Sequence, residues 1–106
     1  MTYEVVLDPL VTERIDQITS YICDVLGSPS AAASFLNGFE SLVAALERLP
    51  FSYPRPLDAR LQARGYRKAP IGKYVVLFRV DESGEGKGTV YITNVFHGTQ
   101  NYRELV

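Results

Sequence analysis

Two proline-started segments in the first fifty residues constrain the chain more than anything else in it. Asp8-Pro9 and Ser28-Pro29 each set an N-capping side chain directly before a proline, the arrangement that opens a helix. Behind the first, Val11, Ile15, Ile18, Ile22 and Val25 recur in steps of four and three. Behind the second, Phe35, Phe39, Leu42, Leu46 and Leu49 do the same. Each set forms one apolar stripe along a helix. Gly27 stands where a left-handed C-terminal cap belongs, and Pro50 stops the second helix. Two amphipathic helices separated by Gly27-Ser28 fold back on each other as a hairpin. Their shared stripe then needs an apolar surface from the rest of the chain.

That surface is written in strands. From Lys73 to Val80, one face is Tyr74, Val76, Phe78 and Val80, and the other is Lys73, Val75, Leu77 and Arg79. Tyr3 to Leu7 reads as a first strand, with Tyr3, Val5 and Leu7 on one face. Gly65 to Ala69 and Thr89 to Phe96 supply two more. Ile71-Gly72 reads as a tight turn and Asp81 to Gly88 as a hairpin loop rich in glycine and charge. Residues 50–64, with Pro50, Pro54 and Pro56, read as a stiff loop. The expected order is β-α-α-β-β-β in one domain over residues 1–106. It is an α+β fold with a helical hairpin on one face of a largely antiparallel sheet. The apolar face of the central strand should lie under the helices, sending Lys73 and Arg79 to the uncovered face.

At 46% hydrophobic and 22% charged residues, the chain is neither disordered nor membrane-like. Its net charge of −1 hides an asymmetry. Residues 1–53 carry two arginines against seven carboxylates, a balance of −5. Residues 54–106 carry nine lysines and arginines against five carboxylates, a balance of +4. Seven of those cations fall between Arg55 and Arg79, with Asp58 the single acid among them. Such a stretch points to an anionic partner. The lone Cys23 has no internal disulfide partner and is expected to be a buried structural thiol. No Cys/His cluster suggests a metal, and no cofactor is expected. MTYEVVLDP is unlike a signal peptide, and no apolar run nears the roughly 20 residues that span a bilayer. The expectation is a cytoplasmic protein that does not engage a membrane.

Three stretches carry a resemblance: Gly65-Tyr66-Arg67-Lys68, the run from Lys73 to Glu82 (KYVVLFRVDE), and Val95 to Tyr102 (VFHGTQNY). Together with Ile18 to Ile22 in the first helix and Pro29 to Ala32 opening the second, they resemble the RelE/ParE superfamily. These are small toxins of bacterial type II toxin–antitoxin pairs, and the resemblance spans essentially the whole chain. It implies a growth-inhibiting toxin silenced by an antitoxin from the adjacent gene, whose acidic C-terminal tail wraps the toxin. Toxins similar to RelE enter the ribosomal A site and cut mRNA, whereas those similar to ParE poison DNA gyrase. One fold can host both activities.

Metal-independent RNA cleavage needs a proton acceptor near the 2′-OH, a donor near the leaving oxygen and cations around the phosphate. The resemblance implies Arg67, Arg79, His97 and Tyr102 as the catalytic set of a ribosome-dependent endoribonuclease. Arg64, Lys68, Lys73 and Arg103 would then bind RNA or an antitoxin tail. Two departures favour a ParE-like gyrase inhibitor. Val75 stands where RelE-like nucleases commonly place an arginine after the strand tyrosine, and His97 is followed by Gly98 rather than tyrosine. A module that binds antitoxin and has lost toxicity is a third reading. Structural roles compete at each position: His97 as a strand-end hydrogen-bonding residue, Arg67 in an ion pair or packing, and Lys73 as an edge charge.

Overall fold

The computed structural model describes residues 2–56, 58–82 and 88–99. Strand β1 (Glu4–Leu7) leads into helix α1 (Pro9–Ser20), which runs on as a π-helical turn over Tyr21–Val25. Helix α2 (Pro29–Leu46) follows, then a 3-10 turn (Pro50–Ser52) and a short helix α3 (Ala59–Ala63). Strands β2 (Tyr66–Ile71), β3 (Tyr74–Asp81) and β4 (Thr89–His97) complete the chain order. The sheet order is β1-β4-β3-β2, with β1 parallel to β4 and the other pairs antiparallel. The expected α+β architecture is present, with the helical hairpin on one face of the sheet.

The caps act as the sequence predicts. Asp8 accepts from the Leu10 N–H at 2.9 Å, and Ser28 accepts from the Ala31 N–H at 3.2 Å. Gly27 takes φ +66°, which an L side chain adopts only at a steric cost, and so ends the first helix. Val11, Ile15, Ile22, Phe35, Phe39, Leu42 and Leu46 are buried together against Val76, Phe78, Val90, Ile92 and Val95 of the sheet. Each such side chain contributes about 1.5–3 kcal/mol by leaving water, which makes this layer the main source of stability.

The last residue of each predicted stripe falls outside that layer. Val25 is 68% exposed because the π turn, closed by the Leu26 N–H donating to Tyr21 O, breaks the period of 3.6. Leu49 is 67% exposed because α2 has already ended at Leu46. Cys23 in the π turn is half-buried, packed against the core rather than fully enclosed.

The stiff loop holds a helix that the sequence reading missed. Asp58 caps α3, accepting from the Arg60 and Leu61 N–H groups at 2.8 and 3.3 Å. Burial works to raise the Asp58 pKa, but these bonds and the Arg60 guanidinium outweigh it and hold the carboxyl below its ordinary value. The cap is therefore fully effective above about pH 4 and is lost as pH falls through that lowered pKa. The outer edge of β2 is closed by the proline segment, with the Lys68 N–H donating to Pro54 O at 3.0 Å. Such cover keeps an edge strand from pairing with other chains.

Between β3 and β4 the register shifts. Leu77 faces Asn94, but Phe78 faces Ile92, so Thr93 has no partner opposite it. This bulge switches the core-facing positions of β4 from Val90 and Ile92 to Val95, and brings His97 opposite Tyr74. The Thr93 hydroxyl donates to Leu77 O at 3.3 Å, and buried Asn94 accepts from the Val95 N–H at 2.9 Å.

The far face is not uncovered throughout. Leu77 and Phe96, which alternation sends to that side, are buried and lie outside the cluster under the helices. Among the described residues, no helix is long and apolar enough to cross a membrane.

The Tyr3 ring closes the β1 end of the core. It meets Phe51 edge-on at 6.2 Å, donates through its hydroxyl to Glu82, and occupies the space that a Cβ at Gly88 would need. Burial, then the hydrogen bond to Glu82 and its charge, raise the Tyr3 pKa. We expect Gly88→Ala to destabilise the fold by about 1–3 kcal/mol, as overpacking does. In a Tyr3→Leu background the same change should cost much less, and thermal or urea unfolding of the four-member mutant cycle measures the difference.

Candidate functional site

A groove of about 830 Å³ opens between the end of the α1 turn, the first half of α2 and the β2–β3 connection. Three local features build it. The π turn rolls Tyr21 and Leu26 outward, leaving them 49% and 58% exposed on the rim. Gly38 of α2 lets Ile71 of β2 approach so closely that a Cβ there would sit 2.9 Å from its methyl group. Gly72 (φ +57°) turns the chain sharply before Lys73, which stands exposed at the mouth.

The floor is aromatic. Tyr74 meets Phe35 edge-on at 5.2 Å and His97 at 5.4 Å. The His97 ring is oriented by Thr99, whose backbone N–H donates to Nδ1 at 3.2 Å and whose hydroxyl lies 2.8 Å from the same atom. That contact places the ring proton of the neutral imidazole on Nε2.

Beyond Tyr74 and His97 lies a second, smaller pocket of about 210 Å³, lined also by Arg14, Gln17 and Ile18 of α1. Nothing in the sequence reading singled out Arg14. It sits in the acidic half of the chain, three residues after Val11 and one before Ile15, at the margin of the buried stripe. That position on the helical wheel was the available signal.

The structure separates the residues expected to act together. Arg67 pairs with Phe78 across β2–β3 and so lies on the helix-covered side, contrary to a surface shared with Arg79. Its guanidinium donates to Tyr53 O at 2.7 Å and stands 5.1 Å over the Phe51 ring. Arg79 pairs with Tyr66 and Tyr91 on the opposite face, where its guanidinium lies 4.5 Å over the Tyr91 ring. Lys68 pairs with Leu77 on that same far face, and Arg64 is exposed at the end of α3. His97 and Lys73 share the groove, at the other end of β3 from Arg79. Five residues of strand put Arg79 about 16 Å along from Tyr74. Tyr102 and Arg103 lie outside the described residues. Among the described residues, no group of His, Cys, Asp and Glu could hold a metal ion.

This arrangement of a helical hairpin on a four-stranded mixed sheet has counterparts. The family described as ParE toxin of type II toxin-antitoxin system, parDE, matches residues 5–102. The chain belongs to the ParE toxin family. The toxin is also similar in structure to a chain of the RelBE2 toxin–antitoxin complex from Mycobacterium tuberculosis. That likeness has a TM-score of 0.61 at 24% identity, covering 92% of this chain and 99% of that one. A chain of the chromosomal ParDE system from P. aeruginosa matches with a TM-score of 0.68 at 16% identity, covering 91% and 96%. At such identities these two likenesses speak for the fold alone. The toxin matches no curated protein sequence.

The contacts of the two arginines predict what their loss costs. Arg67→Ala removes a charged hydrogen bond and a stacked cation, so we expect about 2–3 kcal/mol of destabilisation. Arg79→Ala removes a half-buried stacking contact and should cost less, about 0.5–1 kcal/mol. Urea unfolding of the two variants checks the difference.

Proposed function

We propose that this ParE-family toxin inhibits growth by binding DNA gyrase, without chemistry of its own, and is silenced by an antitoxin segment seated in the apolar groove. The observation that carries the reading is the separation of Arg67 from Arg79. Phosphate stabilisation during strand cleavage needs cations aimed at one developing charge. Here one guanidinium is tied to Tyr53 O and stacked over Phe51, and the other lies over Tyr91 on the opposite face.

A binding role asks for something else, namely exposed apolar area with a defined shape. The groove edged by Tyr21 and Leu26 offers it. The family match and valine at position 75 support the ParE-like target over the ribosome. The antitoxin reading draws on the same groove, and on the surplus of cations between Arg55 and Arg79, which suits an acidic segment that orders on contact.

Gyrase assays and translation assays separate the alternatives. We expect purified toxin to block supercoiling by gyrase while mRNA in a translating extract stays uncut. An Arg79→Ala variant should keep at least half of that inhibition, since that side chain performs no catalysis and lies on the face away from the groove. Cleaved mRNA together with undisturbed supercoiling would return the protein to the endoribonuclease class. An absence of growth inhibition when the chain is expressed alone would leave antitoxin binding as its whole function.

A further inference from the structure

The smaller pocket beside the groove is lined by one cation, Arg14. Arg14 is half-buried and its Nε is buried, yet among the described residues that Nε has no hydrogen-bond partner. A guanidinium stays charged at any physiological pH, and a buried donor without an acceptor is destabilising. Packing alone does not call for a charge at this position, because an unbranched apolar side chain would fill the same margin of the α1 stripe. The amide of Gln17, one turn along the same helix, lines the pocket with it.

The surroundings decide what anion fits. Glu13 and Asp16 flank Arg14 on the exposed side of α1, and the first 53 residues as a whole carry a balance of −5. A polyanionic backbone laid across this helix would meet those carboxylates. A single carboxylate presented from an apolar segment would not. Tyr74 and His97 line both the groove and the pocket, so one ligand can run from the first into the second. The planar fork of an arginine matches a carboxylate with two parallel hydrogen bonds.

We propose that Arg14, with Gln17 beside it, anchors one Asp or Glu side chain of the antitoxin segment whose apolar side chains fill the neighbouring groove. The inference rests on the antitoxin reading above and adds a specificity determinant drawn from the acidic half of the chain. The antitoxin surplus charge would otherwise be assigned wholly to the basic half.

The test measures binding of the full-length toxin to the protein encoded beside it, by calorimetry. Arg14→Met keeps the apolar stem and removes the charge. It should weaken binding about ten- to a hundredfold, the range for losing a charged hydrogen-bonded pair. Its unfolding temperature should stay level or rise. Arg14→Lys keeps the charge without the fork and should fall between. One Asp→Asn or Glu→Gln change in the partner should weaken binding to wild-type toxin by a similar factor and have no further effect on Arg14→Met. Unchanged affinity of Arg14→Met, or a clear drop in its unfolding temperature, overturns the assignment. So does a short RNA that displaces the partner from wild-type toxin but not from Arg14→Met, since it would make phosphate the ligand. If wild-type toxin forms no complex at all, the antitoxin reading fails and this inference goes with it.

Discussion

One unpaired residue in β4 sets the orientation of everything downstream of it. Strands β3 and β4 are the two central strands, and the helical hairpin rests on the face made by Val76, Phe78, Val90, Ile92 and Val95. Strict alternation from Val90 and Ile92 would send Asn94 and Phe96 into that core, and Val95 to the far side. Thr93, standing without a partner opposite it, shifts the phase by one residue. Valine therefore enters the core and buried Asn94 satisfies its side-chain oxygen on the next backbone N–H. The same shift turns His97 to the helix side, against Tyr74 and into the groove. The candidate site thus depends on a packing requirement of the core, not on a separate functional feature.

Alternation also explains why the basic stretch does not make one surface. Arg67 and Arg79 are both odd-numbered, but they sit on antiparallel strands whose register pairs Arg67 with Phe78 and Tyr66 with Arg79. Parity alone cannot tell which residues share a face. The register is set by the two-residue connection at Gly72, and a connection one residue shorter or longer would have put both arginines on one side. The sequence reading assigned a strand and a charge to Arg67 correctly, and lacked the register that decides its direction.

What was legible follows from the range of each signal. Caps and stripes are local, so Asp8, Ser28, Gly27 and the buried positions from Val11 to Ile22 and from Phe35 to Leu46 were readable. Val25 and Leu49 were placed by continuing a period past the point where the backbone stops obeying it. A single π turn and an early helix end each rotate or release one side chain. Helix α3 had a signal of the kind read elsewhere, Asp58 before Ala59 to Ala63, but three prolines nearby outweighed it. Parallel pairing of β1 with β4 is long-range, and no short-range pattern announces it. Arg14 carries a charge that runs against the balance of its half of the chain, and only its place on the wheel marks it as lying at the core margin.

The groove is too small to hold a partner by burial alone. The exposed rim side chains Tyr21 and Leu26, each worth about 1.5–3 kcal/mol on leaving water, supply roughly 3–6 kcal/mol. Association itself costs about 4–15 kcal/mol in lost freedom. Apolar contact at this end of the molecule therefore approximately offsets the cost of binding and leaves little net affinity. A toxin held silent must be bound much more tightly than that, so further contacts are required outside the groove. Extending the covered surface along the basic stretch supplies charge with little geometric restraint, since Arg55, Arg60 and Arg64 are exposed. The half-buried guanidinium of Arg14, whose Nε has no hydrogen-bond partner among the described residues, would on the proposal above supply direction as well. Affinity can come from many weak surface pairs, but the register of a partner in the groove needs a fixed point, the role proposed for Arg14 where α1 meets the end of β4.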